Sequence, residues 1–182
     1  DMDRGGDLMA AVGIVAKGEE SLYLSRDGGL TWEAADSGTS YAFKFVSVSA
    51  NGQVIAALDK NGKVLRSRNG GSSWEEFDSP GSVFAGVQAF NSGDVATFDS
   101  PWKEGRKDYN DGDMRILSGT PRNYDWVTVK PVGHWSVNWS DSTIAGGGDL
   151  LLMTSGNKQN ESAKGRIYQG VVDNMARITY KE

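Results

Sequence analysis

The sequence lacks cysteine, has a single histidine, and carries only four prolines in its 182 residues. The absence of cysteine excludes disulfides and cysteine-ligated zinc, and one histidine excludes metal sites built from several histidines. No apolar run reaches the roughly 20 residues that a bilayer-spanning helix needs. The formal net charge of −5 argues against a general nucleic-acid binder, which would carry a basic face. We therefore expect no nucleic-acid partner and no membrane partner.

Turn-forming and aromatic residues are plentiful instead. The chain has 24 glycines and 6 tryptophans, and its apolar segments are short, without a long run of helical period. This composition favours an all-β protein with many turns. At this length we predict one domain, residues 1–182. The chain begins at Asp1 rather than methionine, so we expect a product that is processed, trimmed or cut from a longer chain.

One stretch of the sequence is repeated. Residues 22–32 read LYLSRDGGLTW, and residues 64–74 read VLRSRNGGSSW. The corresponding serines and the corresponding tryptophans are each 42 residues apart. A self-similar period of this size is typical of propellers and solenoids. We call residues 25–32 the first box and residues 67–74 the second box.

Both boxes have the chemistry of a hairpin turn. Their paired glycines supply positive φ at no steric cost. Asp27 and Asn69 have short side chains that hydrogen-bond nearby backbone amides, and Ser25 and Ser67 do so more weakly. The tryptophan that ends each box opens the next strand, where it can pack on a neighbouring repeat. The boxes therefore predict hairpin tips that are stabilised by their own side chains.

The first box resembles the Asp-box, also called the BNR repeat, whose pattern is Ser-x-Asp-x-Gly-x-Thr-Trp. The first copy matches that pattern at Ser25, Asp27, Gly29, Thr31 and Trp32. The second copy has asparagine and serine in place of aspartate and threonine, with Ser67, Asn69, Gly71, Ser73 and Trp74. The resemblance implies a turn between the third and fourth strands of a propeller blade, as in sialidases, other glycosidases, sorting receptors and photosystem assembly factors. In that family the box is mostly structural, so the resemblance constrains fold more than activity.

The strand rhythm predicts an all-β propeller of about four blades, each a four-stranded antiparallel sheet. The expected blades are residues 8–36, 42–78, 82–130 and 132–182, with three strands in the first and four in each of the others. The first blade lacks its innermost strand in this interpretation, and residues 1–7 are a linker. We expect a closed or nearly closed ring, because an open arc would expose apolar blade faces. An incomplete propeller, completed by another segment or chain, is the alternative.

Two polar insertions, residues 99–113 and 155–164, are the predicted contact surface on one rim. The candidate binding residues are aromatic or basic: Trp102, Arg106, Tyr109, Trp135 and Trp139. Trp135 and Trp139 share one strand face and suit either a sugar or the core, with the core favoured. A weak cation candidate uses oxygen ligands around a glycine: Asp108, Asp111 and Asp113. A plain turn is favoured there, so we expect no metal and no cofactor.

The function expected from the sequence is binding without catalysis. The chain is too short for the six blades of a sialidase and lacks the Arg-Ile-Pro motif that the resemblance would require upstream of the first box. We expect an attachment module that recognises a glycan or a protein, in an extracellular or virion-associated assembly. A fragment or accessory domain of a glycoside hydrolase is one alternative, with acidic residues of the first insertion as its candidates. A structural subunit that self-associates or shares a strand is the other.

Overall fold

A computed structural model describes residues 1–16, 19–35, 41–81, 84–99, 113–120, 123–129, 139–145, 150–155, 166–173 and 177–181. All regular secondary structure in these residues is β, in fifteen strands. The strands are β1 (Met9–Ala16), β2 (Glu19–Ser25), β3 (Glu33–Ala34), β4 (Phe43–Val48), β5 (Ile55–Asp59), β6 (Lys63–Ser67), β7 (Glu75–Asp78), β8 (Phe84–Ala89), β9 (Val95–Asp99), β10 (Met114–Thr120), β11 (Asn123–Val129), β12 (Trp139–Ala145), β13 (Leu150–Ser155), β14 (Arg166–Asp173) and β15 (Arg177–Lys181). No helix in the described part of the chain is long and apolar enough to span a membrane.

The strands form four antiparallel sheets in chain order. Sheet 1 contains β1–β3, and sheets 2, 3 and 4 contain β4–β7, β8–β11 and β12–β15. Within every sheet each strand pairs with the next strand of the sequence, which is the arrangement of propeller blades. The first box joins β2 to β3, and the second box joins β6 to β7. The predicted fold class, an all-β propeller with four-stranded sheets, is therefore confirmed.

Apolar cores lie between consecutive sheets. Successive side chains of a strand point to opposite faces, so a strand that lies between two neighbours is buried on both sides. In β5, Ile55 and Ala57 pack into the core shared with sheet 1, whereas Ala56 and Leu58 pack into the core shared with sheet 3. A third core joins sheets 3 and 4 and includes Leu151. This double burial explains why β5 is a continuous apolar run rather than an alternating one.

The sheets form an open arc. Strand contacts link sheets 1 and 2, 2 and 3, and 3 and 4, whereas among the described strands none of sheet 1 packs extensively on sheet 4. The expectation of a closed or nearly closed ring assumed that every apolar blade face is buried. Instead, sheet 1 keeps one face open, with Met2 56% and Trp32 44% exposed. The incomplete propeller is the arrangement that the structure supports.

The linker interpretation of the first residues is wrong. Met2 forms an antiparallel bridge with Met9, and the backbones of Asp1 and Ala10 exchange two hydrogen bonds of 2.8 Å. These residues lie on the free edge of β1, where the inner strand of a blade belongs. The polar composition indicated a linker, but these polar residues stabilise the turn that brings the chain back to β1. The Asp3 carboxylate, for example, accepts a hydrogen bond from Leu8 N.

Candidate functional site

The first box is closed by its own side chains. Ser25 Oγ accepts a hydrogen bond from Gly29 N at 2.8 Å and donates one to Asp27 Oδ1 at 2.8 Å. Thr31 donates to the two oxygens of Asp27, from its backbone N at 2.9 Å and from Oγ1 at 2.6 Å. Gly29 has φ of 89°, which a side chain would strain. Each specified polar residue of the box is thus used inside the turn, as expected of a structural element.

The second box repeats this network with a neutral side chain. Ser67 Oγ accepts from Gly71 N at 2.8 Å, and Asn69 Oδ1 accepts from Ser73 N at 2.9 Å. The Asn69 amide donates to Ser73 Oγ at 2.9 Å, where the first box has a threonine hydroxyl donating to a carboxylate. The turn therefore forms with either an amide or a carboxylate at this position.

The carboxylate of the first box makes it sensitive to acid. Hydrogen bonds from the Thr31 side chain, the Thr31 backbone and the Ser25 side chain lower the pKa of Asp27 from 3.8 to about 2. These bonds favour the ionised form. A carboxyl whose pKa is lower in the folded state contributes stability above its unfolded pKa, and that contribution is lost as the pH falls through the folded pKa.

We expect Asp27→Asn to reduce the loss of stability between pH 4 and pH 2, the window set by the two pKa values of Asp27. Urea unfolding of wild type and variant across this range measures the effect. Asn69→Asp is the matched control, because it should add a similar acid-dependent loss at the second box. Equal pH profiles for wild type and Asp27→Asn would contradict the assignment.

A buried ion pair joins the two strands that flank the first insertion. The backbone N of Asp99, at the end of β9, donates to Asp113 O at 2.9 Å. Arg115 on β10 binds both carboxylates, through Nη1 to Asp99 Oδ2 and through Nη2 to Asp113 Oδ2 at 2.9 Å. All three side chains are largely buried, with 11% of Arg115 exposed. Burial raises the pKa of Asp99, and Arg115 opposes that shift.

The sequence-predicted binding residues lie mostly outside the described residues. This holds for Trp102, Arg106, Tyr109 and Trp135, and for the cation candidates Asp108 and Asp111. Trp139 is described only through its backbone, which opens β12 and pairs with Ser155. Asp113 is the cation candidate whose side chain is described, and its Oδ2 accepts a hydrogen bond from Arg115 Nη2 at 2.9 Å.

Both insertions leave their sheets at the same position. Residues 100–112 connect β9 to β10 and residues 156–165 connect β13 to β14, in each case the second strand to the third. Because antiparallel strands reverse direction, the strand ends that these residues connect lie at the end of the sheet opposite the end where a box joins the third strand to the fourth. In sheet 2 the corresponding connection is a short turn, in which Asn61 N and Lys63 N both donate to Asp59 Oδ1 at 2.8 Å. We call this end of the sheets the insertion rim.

A polar chain across the inner strands was not anticipated from the sequence. Val48 N donates to Asp1 Oδ2 at 2.9 Å, and Ala89 N donates to Ser47 Oγ at 3.1 Å. Gln88 continues the chain by donating from Nε2 to the Ser142 backbone O at 2.7 Å. Ser47 Oγ connects these links, because it lies 3.1 Å from Asp1 Oδ2 and 3.2 Å from Gln88 Oε1. The signal in the sequence was weak, because isolated polar residues in strands usually face solvent.

Comparisons with known proteins identify the class. No protein-family description and no curated protein matches the chain. The β-propeller domain of Cps50 (Swd1) from Myceliophteria thermophila is similar, with a TM-score of 0.59 and 12% identity over 95% of this chain and 50% of that one. YCF48 bound to a D1 peptide gives a TM-score of 0.55 and 14% identity, over 94% of this chain and 49% of that one. The GH74 enzyme of Niastella koreensis gives 0.56 and 16%, over 99% of this chain and 29% of that one.

These similarities define a β-propeller fold that is incomplete in this chain. The chain spans about half the length of the first two structures and less of the third. The structures in this group include a protein solved with a bound peptide and a glycoside hydrolase enzyme. At such low identity the likeness establishes the fold alone.

Proposed function

We propose that this chain is a non-catalytic module of the Asp-box propeller type, and that it binds a protein partner through the insertion rim. The observation that supports this function best is the base of the first insertion. Arg115 and the backbone bond between Asp99 and Asp113 hold the two ends of the insertion together on a buried ion pair. Such a base presents a long loop from a fixed scaffold, which is how many binding proteins carry their contact residues.

The Asp-box assignment is supported by the hydrogen bonds of both boxes. The serine and the aspartate or asparagine accept from the backbone of the same turn in each copy. The second glycine of each box has positive φ, 89° at Gly29 and 90° at Gly71. Each box joins the third strand position to the fourth within its own sheet, which is the place that the resemblance implies.

A protein partner fits the composition of the rim better than a glycan does. Residues 99–113 combine a tryptophan and a tyrosine with charges of both signs, which is typical of protein contact surfaces. The similar YCF48 structure contains a bound peptide. A glycan remains the second ligand class, for which Trp135 and Trp139 are the candidate stacking residues.

A glycoside hydrolase is the runner-up function. One specific observation favours it: Asp99 and Asp113 are close carboxylates, and burial raises the pKa of Asp99. Glycosidases use such pairs, with the residue of raised pKa as the acid. Here both carboxylates bind one guanidinium, so they act as a structural ion pair unless Arg115 moves away.

The decisive experiment removes the first insertion and keeps its base. Residues 100–112 are replaced by Lys-Asn-Gly, the three residues that join Asp59 to Lys63 in sheet 2. Because Asp99 holds the same strand position as Asp59, it can cap the new turn as Asp59 does. We expect stability to change by less than about 1 kcal/mol, because shorter surface loops cost little conformational entropy.

Binding is then compared on arrays of peptides and of glycans, with a Gly-Ser insertion of the original length as the control. We expect wild type to bind peptides and both variants to lose that binding. Retention of peptide binding in the shortened variant would contradict the rim proposal. Binding confined to the glycan array would assign the second ligand class. Turnover of a panel of aryl glycosides that is abolished by Asp99→Asn would establish the hydrolase instead.

A further inference from the structure

One face of sheet 1 repeats a face that sheet 2 buries. We call the side chains of Met2, Met9, Ala11, Tyr23 and Trp32 the outward face. The strand register identifies their counterparts: Met9 pairs with Ser25 as Ile55 pairs with Ser67, and Ala11 pairs with Tyr23 as Ala57 pairs with Leu65. The counterparts in sheet 2 are Val48, Ile55, Ala57, Leu65 and Trp74.

The two faces differ in what covers them. Ile55 and Ala57 are 0% exposed and Leu65 is 2% exposed, because sheet 1 packs against them. Met2, by contrast, is 56% exposed on the outward face. Met9, Ala11 and Tyr23 are partly exposed there. The outward face thus has the chemistry of a blade interface without a neighbouring blade among the described residues.

The packing inside the chain shows what such a face accepts. Sheet 1 covers sheet 2 with leucine and alanine side chains of its own second and third strand positions, including Leu8, Ala10, Leu22 and Leu24. The face of sheet 4 that corresponds to this covering face of sheet 1 lies on the side away from sheet 3. Leu151 of β13 is buried in the core with sheet 3, so Leu152 belongs to the opposite face, where it is partly exposed.

We propose that a second copy of this chain packs sheet 4 on the outward face of sheet 1, and that the reciprocal contact closes a ring of eight sheets. The contact continues an interface that the chain already forms between consecutive sheets. The ring size fits, since propellers have about four to eight blades.

The test measures the mass of the chain in solution by light scattering. We expect twice the 19.6 kDa chain mass at concentrations on the order of 10–100 μM. Ala11→Glu should raise the dissociation constant at least about 100-fold, because it places an unpaired charge in an apolar contact. Leu30→Glu is the matched control. Leu30 is 84% exposed, and its counterpart Ser72 stays exposed where sheet 2 meets sheet 1, so this variant should keep the wild-type mass.

A mixing experiment tests the head-to-tail geometry. Ala11→Glu damages the outward face, and Leu152→Glu damages the opposite end of the arc. Each variant alone should have the single-chain mass. A mixture of the two should recover complexes of twice that mass, because one of the two contacts in a mixed pair has both faces intact.

Each other outcome overturns the proposal. Wild type at the single-chain mass excludes self-association, and filaments of increasing mass exclude ring closure. Retention of the double mass by Leu152→Glu places the contact between two copies of sheet 1 instead. Met2→Glu is the second variant if Ala11→Glu unfolds, because the Met2 side chain is already exposed in the single chain. The mass readout does not depend on the insertion rim, so its failure leaves the proposed function untouched.

Discussion

Arg66→Ala should lower the free energy of unfolding by about 3–4 kcal/mol, a loss that combines a core cavity with an unpaired backbone carbonyl. The Arg66 side chain is fully buried between sheets 2 and 3. Its Nη1 donates to Gly93 O at 2.9 Å, and its Nη2 contacts Glu75 Oε2 at 2.7 Å. The guanidinium carbon lies 4.7 Å from the ring centroid of Phe77 and 4.2 Å from that of Tyr124. The Arg66 side chain therefore fills the space between the two aromatic rings and also donates hydrogen bonds.

The ion pair is the smaller part of this effect. The Glu75 side chain is 43% exposed, so water can solvate the carboxylate after the arginine is removed. The carboxylate that Arg66→Ala leaves behind is therefore expected to cost at most about 1 kcal/mol. The Gly93 carbonyl and the volume between the two aromatic rings have no such replacement. Glu75→Gln differs, because it leaves the fully buried Arg66 guanidinium without a carboxylate, and we expect it to lower the free energy of unfolding by about 1.5–3 kcal/mol.

Sheet 1 supplies the control substitution. Leu24 pairs with Glu33 as Arg66 pairs with Glu75, and Leu24 is 2% exposed in an apolar core. Arg66→Leu should therefore restore most of the packing and lose mainly the hydrogen bonds, about 1–2 kcal/mol. Urea unfolding of both variants measures the difference. An Arg66→Leu loss as large as that of Arg66→Ala would show that polar contacts, not volume, dominate.

The parts of the fold that depend on local chemistry were predictable from the sequence. Both boxes could be identified because the side chain of Asp27 or Asn69 stabilises a turn only a few residues away. The number of strands followed from turns of the Asn-Gly type between short apolar runs. The insertions were evident as polar interruptions of this rhythm.

The remaining features depend on contacts between distant residues. Arg66 belongs to a strand in the sequence pattern, but nothing local indicates that Phe77 and Tyr124 enclose its guanidinium. The Asp1 carboxylate binds Val48 N, a partner 47 residues away, so residues 1–7 had the composition of a linker. Arg115 and Asp99 lie on either side of a polar insertion, and their pairing requires the two strands to be aligned first.

Whether the four sheets close into a ring could not be predicted from the sequence, because this too depends on contacts between distant residues. Sequence patterns show which side chains are apolar, but they do not show which sheet covers them. Trp32 and Trp74 are equivalent in the repeat, yet Trp74 packs into the core between sheets 1 and 2 while Trp32 is 44% exposed. The difference arises from the position of each sheet in the arc.

Gly71→Ala should destabilise the protein by about 3 kcal/mol, and considerably more than the same change at Gly29. The two glycines have the same place in their boxes and nearly the same φ, 90° and 89°, so the backbone strain of roughly 1–2 kcal/mol is shared. They differ in surroundings. A Cβ at Gly71 would lie 2.5 Å from Leu24 Cδ1 of sheet 1 and 3.3 Å from Arg26 Nη2. Moving a packed core side chain adds about 1–3 kcal/mol.

A Cβ at Gly29 would instead meet Met9 Sδ at 3.2 Å, at the end of a flexible side chain on the outward face. Gly29→Ala should therefore cost only the backbone strain, about 1–2 kcal/mol. Urea unfolding of both variants in the Ala11→Glu background makes the comparison, because that background keeps a second copy from covering Gly29. Equal losses of stability for the two variants would mean that Leu24 of sheet 1 does not pack closely against Gly71. In the wild-type background, the proposed ring should bring the Gly29→Ala loss close to that of Gly71→Ala, since sheet 4 of the partner then covers the same position.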